Sequence, residues 1–261
     1  MHMRLKKWAR AELSACPYRL TENDDLKGRW RGRFANPDAP LVLEIGCGKG
    51  VYTSRLAAAR PDLNIIAMDM SPEVLGDTRR NLAALCGEPP ANALILQADA
   101  CRIEDYFDKT DRVSAILLNF SNPWSEHPKH AKRRLTHPRQ LVQYRRFLAD
   151  GGEIRFKTDD PGFFDDSRAY FLLCGFSPVY ATRSLHAPDT PEKYRRFVSE
   201  HEKKFMADGV PILFCVFRKT PEPIEISPLR FRLTPGVRKA ALERLNTENI
   251  GSPRRGISER P

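Results

Sequence analysis

Short apolar runs and longer amphipathic stretches alternate along the central part of the chain. The first apolar run, 41–45, is continuous and is followed by glycines, as expected of a strand buried on both faces. A helix is predicted over 51–59, where the Arg60-Pro61 step ends it. The same patterns predict strands near 64–68, 93–96, 113–118, 153–157, 176–182 and 211–218, and helices that open at Ser71-Pro72 or cover about 138–148, 163–173 and 191–207.

This order of elements predicts an α/β fold. Strands that alternate with helices favour a doubly wound, mostly parallel seven-stranded sheet with helices on both faces. The two closing strands are the expected place for an antiparallel strand near the C-terminus. Residues 1–35 precede the sheet as a basic, partly helical lead-in around Trp8, and 36–219 form the main domain.

The segment 220–261 differs in composition from the rest of the chain. It is rich in proline and arginine, and residues 230–261 hold eight Lys or Arg against three Glu. We interpret it as a basic C-terminal extension with one short helix near 237–245 and a frayed end.

Composition narrows the class of protein. The 261 residues are 41% hydrophobic, enough to bury a core, and no apolar run approaches the roughly 20 residues needed to cross a bilayer. The six cysteines form no CxxC pair, so we expect no structural metal; several of them, including Cys174 and Cys215, lie in apolar segments and are expected to be core residues in a reducing cytoplasm. The net charge of +10 points to a polyanionic partner, although many basic proteins bind no nucleic acid.

Candidate chemistry begins directly after the first strand. Gly46, Gly48 and Gly50 would let backbone N–H groups approach a ligand at the carboxyl edge of the sheet, but a plain glycine turn has the same pattern. Asp69 ends the second strand about 20 residues later, where a carboxylate can accept both hydroxyl hydrogens of a ribose. Asp99 follows the third strand, placed to accept from an adenine amino group.

The glycine spacing separates two cofactor classes. A nicotinamide enzyme would normally have Gly-x-Gly-x-x-Gly, whereas this loop has Gly-x-Gly-x-Gly preceded by Glu44. The whole constellation resembles the class I, Rossmann-like methyltransferases, which implies S-adenosylmethionine as cofactor. The residues assigned to it are Glu44, Gly46, Gly48, Gly50, Asp69, Met70, Asp99, Ala100 and Asn119.

A second group of motifs follows the fourth and fifth strands on the same sheet edge. The chain has Asn119-Phe-Ser-Asn-Pro-Trp124, then Lys129-His-Ala-Lys-Arg-Arg-Leu135, then Lys157-Thr-Asp159, and later Ser199-Glu-His-Glu-Lys-Lys-Phe205. In this order the motifs closely resemble the bacterial tRNA (guanine-N7)-methyltransferase family. The resemblance runs from the Arg4–Ala9 segment to Phe205 and covers most of the chain.

The resemblance implies methyl transfer from S-adenosylmethionine to N7 of a variable-loop guanosine in tRNA. We expect no metal and no membrane partner, and the sequence leaves open whether the protein is a monomer or a homodimer. The resemblance also implies Asn122, Asp159 and Glu202 as catalytic residues. The substrate-binding residues it implies are Ser121, Trp124, Lys129, His130, Lys132, Arg133, Arg134, Lys157, Thr158 and Ser199.

Three departures from the family pattern concern the acceptor side. Asn122 stands where the family has Asp, the 125–128 segment is altered and one residue longer, and His201 stands where Tyr is usual. Guanine N7 carries a lone pair and no proton, so its methylation requires positioning rather than a general base. Asn keeps an acceptor oxygen but loses the negative charge, which predicts a weakened or re-tuned site that still works.

Other interpretations of these residues stay open. The basic stretch can be a solvated helix face, His130 a structural histidine, and Trp124 a packed wall of the pocket. The alternative functions are a methyltransferase of the same fold with a drifted RNA or small-molecule target, and a non-catalytic tRNA-binding protein. The intact cofactor constellation speaks against the second.

Overall fold

The computed structural model describes residues 5–126, 128–221, 224, 226–228 and 230–247. Residues 1–4 with Arg4, His127 of the altered 125–128 segment, and the expected frayed end at 248–261 lie outside the described residues. The helices are α1 (Lys7–Ser14), α2 (Val51–Ala59), α3 (Pro72–Cys86), α4 (Pro138–Phe147), α5 (Pro161–Leu173), α6 (Glu192–Arg195), α7 (Glu200–Ala207) and α8 (Pro235–Thr247).

The strands are β1 (Arg19–Thr21), β2 (Leu41–Ile45), β3 (Asn64–Asp69), β4 (Ala93–Gln97), β5 (Val113–Asn119), β6 (Leu148–Thr158), β7 (Phe176–Thr182) and β8 (Leu213–Lys219). They form one sheet in the order β1-β4-β3-β2-β5-β6-β8-β7. Strand β8 runs antiparallel to both β6 and β7, and the other pairings are parallel. The mostly parallel α/β sheet with an antiparallel strand near the C-terminus is therefore confirmed.

The predicted number of seven strands is wrong, because the lead-in adds an eighth. Arg19–Thr21 pairs with Ile95–Gln97 of β4, and three residues are too few for a hydrophobic pattern to mark a strand. The prediction of one helix at 191–207 is also wrong, because the structure has two helices there, α6 and α7. They are separated because Ser199 caps α7 with its side chain.

The change of direction in strand order positions the site. Strands β2 and β5 are neighbours at the centre of the sheet, while the chain winds outwards from them in opposite directions. Ligands in open α/β sheets bind outside the carboxyl ends of the strands at such a switch point. The loops that follow Ile45 and Asn119 therefore meet at this position.

One large core surrounds the sheet, and it takes residues from both ends of the described chain. Leu13 and Trp30 from the lead-in and Leu245 from α8 are almost fully buried in it. A smaller apolar cluster of Leu185, Ile212, Phe214 and Val216 lies beside Phe120 and Phe205. The division into domains at 35 and 219 stays a prediction. None of the described helices is long and apolar enough to cross a bilayer.

Candidate active site at the carboxyl edge of the sheet

The glycine loop after β2 is held by the backbone of β3. The N–H groups of Gly46 and Cys47 donate to the Met68 carbonyl at 2.8 and 3.0 Å. Gly46, Gly48 and Gly50 all have positive φ, the region that glycine enters without steric cost. A Cβ on Gly50 would lie 2.5 Å from Cγ2 of Thr78, whereas one on Gly48 would meet no heavy atom within 4 Å. The loop is thus packed at Gly50 and open at Gly48.

Asp69 connects the end of β3 to this loop. One carboxylate oxygen accepts from the Gly48 N–H at 3.1 Å, and the other accepts from the Ser71 N–H at 3.0 Å. Burial raises the pKa of Asp69 above its ordinary value. The carboxylate expected to bind a ribose therefore also fixes the shape of the glycine loop.

Glu44 lies at the centre of the switch point with its side chain buried. Its carboxylate accepts from the Thr53 hydroxyl of α2 and, at 2.8 Å, from the Asn119 amide at the end of β5. Burial raises the pKa of Glu44 to about 7, because desolvation outweighs these two hydrogen bonds. Glu44 and Asn119, both predicted to belong to the cofactor site, are thus in direct contact.

The remaining predicted cofactor residues lie at the ends of β3 and β4. Asp99 caps a 3-10 turn at Ala100–Asp105, with its carboxylate accepting from the Cys101 N–H at 2.8 Å. Met70 is 68% exposed, unusual for a large apolar side chain, so it leaves apolar surface uncovered at the rim.

The loop after β5, which we call the acceptor loop (Phe120–Trp124), is conformationally unusual. Phe120 and Trp124 both have φ near +50°, which non-glycine residues adopt at a steric cost. The Asn122 side-chain oxygen accepts from the Trp124 N–H at 2.9 Å and holds the turn. Ser121 has a buried hydroxyl without a hydrogen-bond partner among the described residues. Residues held in this manner are typical of functional sites.

The end of β6 lies beside the acceptor loop. The Phe120 N–H donates to the Lys157 carbonyl at 2.9 Å, and the Ser125 hydroxyl donates to Asp160 at 3.0 Å. Asp159, between these two connections, is half-buried, and within the described part of the chain its carboxylate has no hydrogen-bond or ion-pair partner. Asp159 is therefore a carboxylate available to a ligand at this rim.

Lys157 and Glu202 form a buried ion pair. The Lys157 ammonium lies 2.9 and 3.1 Å from the two carboxylate oxygens and also donates to the Phe197 carbonyl. Glu202 is fully buried, accepts from the Ser199 N–H, and contacts Nε2 of His186 at 2.8 Å. Burial lowers the pKa of Lys157. Both charged groups, predicted for substrate binding and catalysis, are engaged with protein atoms.

Two further residues predicted to bind substrate also form hydrogen bonds within the protein. The Ser199 hydroxyl accepts from the Glu202 N–H at 3.1 Å and completes a capping box at the start of α7. Thr158 is 1% exposed, and its hydroxyl accepts from the Asp160 N–H at 3.2 Å. These two side chains contribute to the shape of the rim.

Arg134 differs from the rest of the basic segment because it is buried. Its guanidinium donates to the Pro123 carbonyl at 2.6 Å and to the Asp166 carboxylate at 2.8 Å. It also lies 5.0 Å from the centre of the Phe163 ring. Arg134 therefore ties the acceptor loop to α5.

The other predicted members of the segment surround Trp124. The Arg133 guanidinium lies 5.1 Å from the Trp124 ring centre, and His130 meets that ring edge-on at 6.1 Å. Lys129 and Lys132 are exposed on the adjoining 3-10 turn, Pro128–Arg133. The geometry brings these cations to the same edge as the acceptor loop.

Two partners at the site were not predicted from the sequence. Thr53 lies in the first turn after the glycine loop, where a hydroxyl could have been sought as a partner for Glu44. His186 is an isolated histidine in the segment after β7, and no motif marks it. In the part of the chain that the structure describes, no group of three or more His, Cys, Asp or Glu could hold a metal ion.

Comparisons with known proteins agree with this geometry. The family described as "Putative methyltransferase" matches residues 38–215. Relatives from Clostridium perfringens (strain SM101 / Type A) and Acetivibrio thermocellus, both named tRNA (guanine-N(7)-)-methyltransferase, are 41% and 40% identical over 222 residues, which is 84% of this chain and 100% of each relative. The solved structure of the 16S rRNA methyltransferase KamB aligns with a TM-score of 0.52 at 13% identity, over 84% of this chain and 96% of that one, and supports the fold alone.

Proposed function

Because the chain belongs to the tRNA (guanine-N(7)-)-methyltransferase family, we propose that it transfers a methyl group from S-adenosylmethionine to N7 of a variable-loop guanosine in tRNA. The observation that carries the proposal is the Asn119–Glu44 hydrogen bond at the switch point. It joins the predicted cofactor site to the strand end from which the acceptor loop begins. Donor and acceptor sites thus share one edge of the sheet.

The residues around the glycine loop fit the cofactor that the family and fold imply. The open side of Gly48 leaves room for a ligand against the backbone. Acidic side chains lie at or next to the ends of three neighbouring strands, as a cationic nucleoside with ribose hydroxyls requires. When bound, S-adenosylmethionine supplies an electrophilic methyl group. The residues that would hold it are Glu44, Gly46, Gly48, Gly50, Asp69, Met70, Asp99, Ala100 and Asn119.

On the acceptor side, the protein has to position the guanine and stabilise the charge that develops on it. No proton has to be removed from N7, so no general base is needed. Placing N7 in line with the methyl group can contribute up to roughly 7–11 kcal/mol. The uncommitted Asp159 carboxylate is suited to accept from the guanine N–H edge and to stabilise the purine cation. The exposed Asn122 side chain adds an acceptor oxygen, and the buried pair of Lys157 and Glu202 positions α7 beside the acceptor loop.

Exchange of Asn122 for aspartate tests this proposal. A carboxylate at 122 would accept from the Trp124 N–H as the amide does, so Asn122→Asp adds negative charge while retaining the turn. We expect kcat to rise about tenfold, since the added charge favours the purine cation. The measurement is methyl incorporation into unmodified tRNA, followed by nucleoside analysis for 7-methylguanosine.

Two controls separate the alternatives. Asp159→Asn should lower kcat while leaving S-adenosylmethionine affinity unchanged, as measured by calorimetry. If neither wild type nor Asn122→Asp forms 7-methylguanosine although the cofactor binds, the target is a different molecule. If the cofactor does not bind, the protein is not a methyltransferase.

A further inference from the structure

A cavity of about 270 Å³ lies where α5, β7 and α8 meet. Its polar lining comes from Arg168 on α5, Thr182 and Arg183 at the end of β7, and Asn246 on α8. The Phe164 ring forms one wall, 5.5 and 5.6 Å from the two guanidinium carbons. We call it the arginine cavity.

Arg168 is not satisfied by the protein around it. The residue is only 8% exposed, yet its Nε–H has no acceptor among the described residues. Among the described residues it forms an ion pair only with Asp165, and this pair is long at 3.8 Å. The Nε–H itself is shielded, but the terminal nitrogens of Arg168 have only this long ion pair among the described residues, and a largely buried guanidinium is costly unless an anion or another acceptor completes its hydrogen bonding.

The local charge balance favours an anion. The arginines paired with Asp165 and Asp166 are Arg134, Arg168, Arg183 and Arg238, so four guanidinium groups face two carboxylates in this described cluster. The cluster keeps a positive charge of two after pairing. Guanidinium forks suit the oxygens of a phosphate group, and Thr182 and Asn246 offer further donors.

Thr182 and Arg183, which line the arginine cavity, lie at the same sheet edge as the acceptor loop. Strands β6 and β7 both run antiparallel to β8, so the ends of β6 at Thr158 and of β7 at Thr182 lie on one side. Helix α5 begins two residues after Asp159 and carries Arg168 at the start of its third turn. The cavity also needs α8, which lies beyond residue 215, where the family match ends.

We propose that the arginine cavity binds a backbone phosphate of the tRNA whose guanine occupies the acceptor loop. The inference rests on the proposed function for the identity of the RNA. Contacts to phosphate fix the register of the nucleic acid without choosing a base. The C-terminal helix thus adds a phosphate contact at the far end of the rim.

Arg183→Gln tests the proposal, with Arg60→Gln as the matched control. Both arginines are exposed and each pairs with an aspartate at 2.5 Å, but Arg60 lies just before β3, at the opposite edge of the sheet. We expect Arg183→Gln to weaken tRNA binding roughly three- to tenfold at moderate salt and to reduce the salt slope by about one, as loss of one phosphate contact does. Arg60→Gln should bind tRNA as wild type does.

Filter binding or fluorescence titration of tRNA provides these constants, and calorimetry checks that S-adenosylmethionine affinity is unchanged in both variants. Titration with inorganic phosphate forms a second arm. If Arg183→Gln loses phosphate binding but keeps its tRNA affinity, the cavity is a site for a free anion and the proposal is wrong. Unchanged tRNA affinity, or equal weakening in both variants, also overturns it. If the wild-type protein binds tRNA but methylates none, the proposed function fails while this binding test stands.

Discussion

At the scale of single residues, Gly48 and Gly50 share a left-handed backbone but differ in their surroundings. Alanine at either position costs about 1–2 kcal/mol for that backbone conformation. Gly50→Ala should cost roughly 1–3 kcal/mol more, because its Cβ would overlap the Thr78 side chain. Urea unfolding of the two variants measures the difference.

The same pair distinguishes packing from ligand binding. Gly48→Ala should be the less destabilised of the two variants. Relative to its loss of stability, it should show the greater loss of S-adenosylmethionine affinity, because its methyl group would fill the open side of the loop. Equal free energies of unfolding for the two variants would contradict the distinction.

Glu44 predicts a specific dependence of stability on pH. Its pKa rises from an ordinary 4.5 to about 7 in the folded state, so between these values the folded protein binds more protons than the unfolded chain. Stability is therefore lost as pH rises from 4.5 to 7, by about 3 kcal/mol from this group. Urea unfolding at pH 5 and pH 8 gives the free energies of unfolding of the wild type and Glu44→Gln. Relative to the wild type, Glu44→Gln should be more stable at pH 8 than at pH 5, because glutamine does not titrate. A difference between the two proteins that does not change with pH would refute this assignment.

Sequence reasoning located the single residues that follow strands, because a strand end fixes where the next side chain lies. Glu44 and Asn119 were both assigned to the cofactor site, and they are in contact. The burial of Lys157 could not be predicted, because lysine is nearly always exposed and its partner Glu202 lies 45 residues away. Only the fold brings those two charges together.

At the scale of elements, α7 is attached to the sheet through the Lys157–Glu202 pair. Removing one member leaves a buried charge and should cost about 3–5 kcal/mol, so Lys157→Met and Glu202→Gln are each expected to be strongly destabilised. The double variant should recover much of that loss. Free energies of unfolding for the four proteins form the double-mutant cycle.

Activity of the double variant then separates positioning from direct catalysis by Glu202. A well-folded double variant that keeps most of the wild-type kcat supports positioning. A folded double variant without activity would place Glu202 among the groups that act on the substrate. Additive stability losses would mean that the pair is not coupled.

The sequence predicted the longer elements well, because their apolar periodicity extends over many residues. Helix α2 and strand β7 were predicted with their observed bounds. The break between α6 and α7 was missed, although Ser199 and Glu202 have the Ser-x-x-Glu spacing of a capping box and indicate a helix start. Strand β1 is too short for any periodic signal.

At the scale of the whole molecule, one rim extends from the glycine loop through the acceptor loop to the arginine cavity. Parallel strands gather their carboxyl ends at one edge, which explains why motifs more than 100 residues apart could be assigned to one site from their order alone. The contribution of α8 could not be predicted in this way. It depends on Leu245 packing in the core, and the composition of the extension gives no indication of that contact.

Strand β1 covers the edge of the sheet beside β4. Strand β4 has four fully buried apolar residues and would otherwise end the sheet with unpaired N–H and C=O groups, a template for edge-to-edge aggregation. Arg19–Thr21 covers that template with a strand of only three residues, preceded by Pro17, so the new edge offers little length for pairing. We therefore expect the lead-in to limit edge-to-edge pairing of this sheet with another copy.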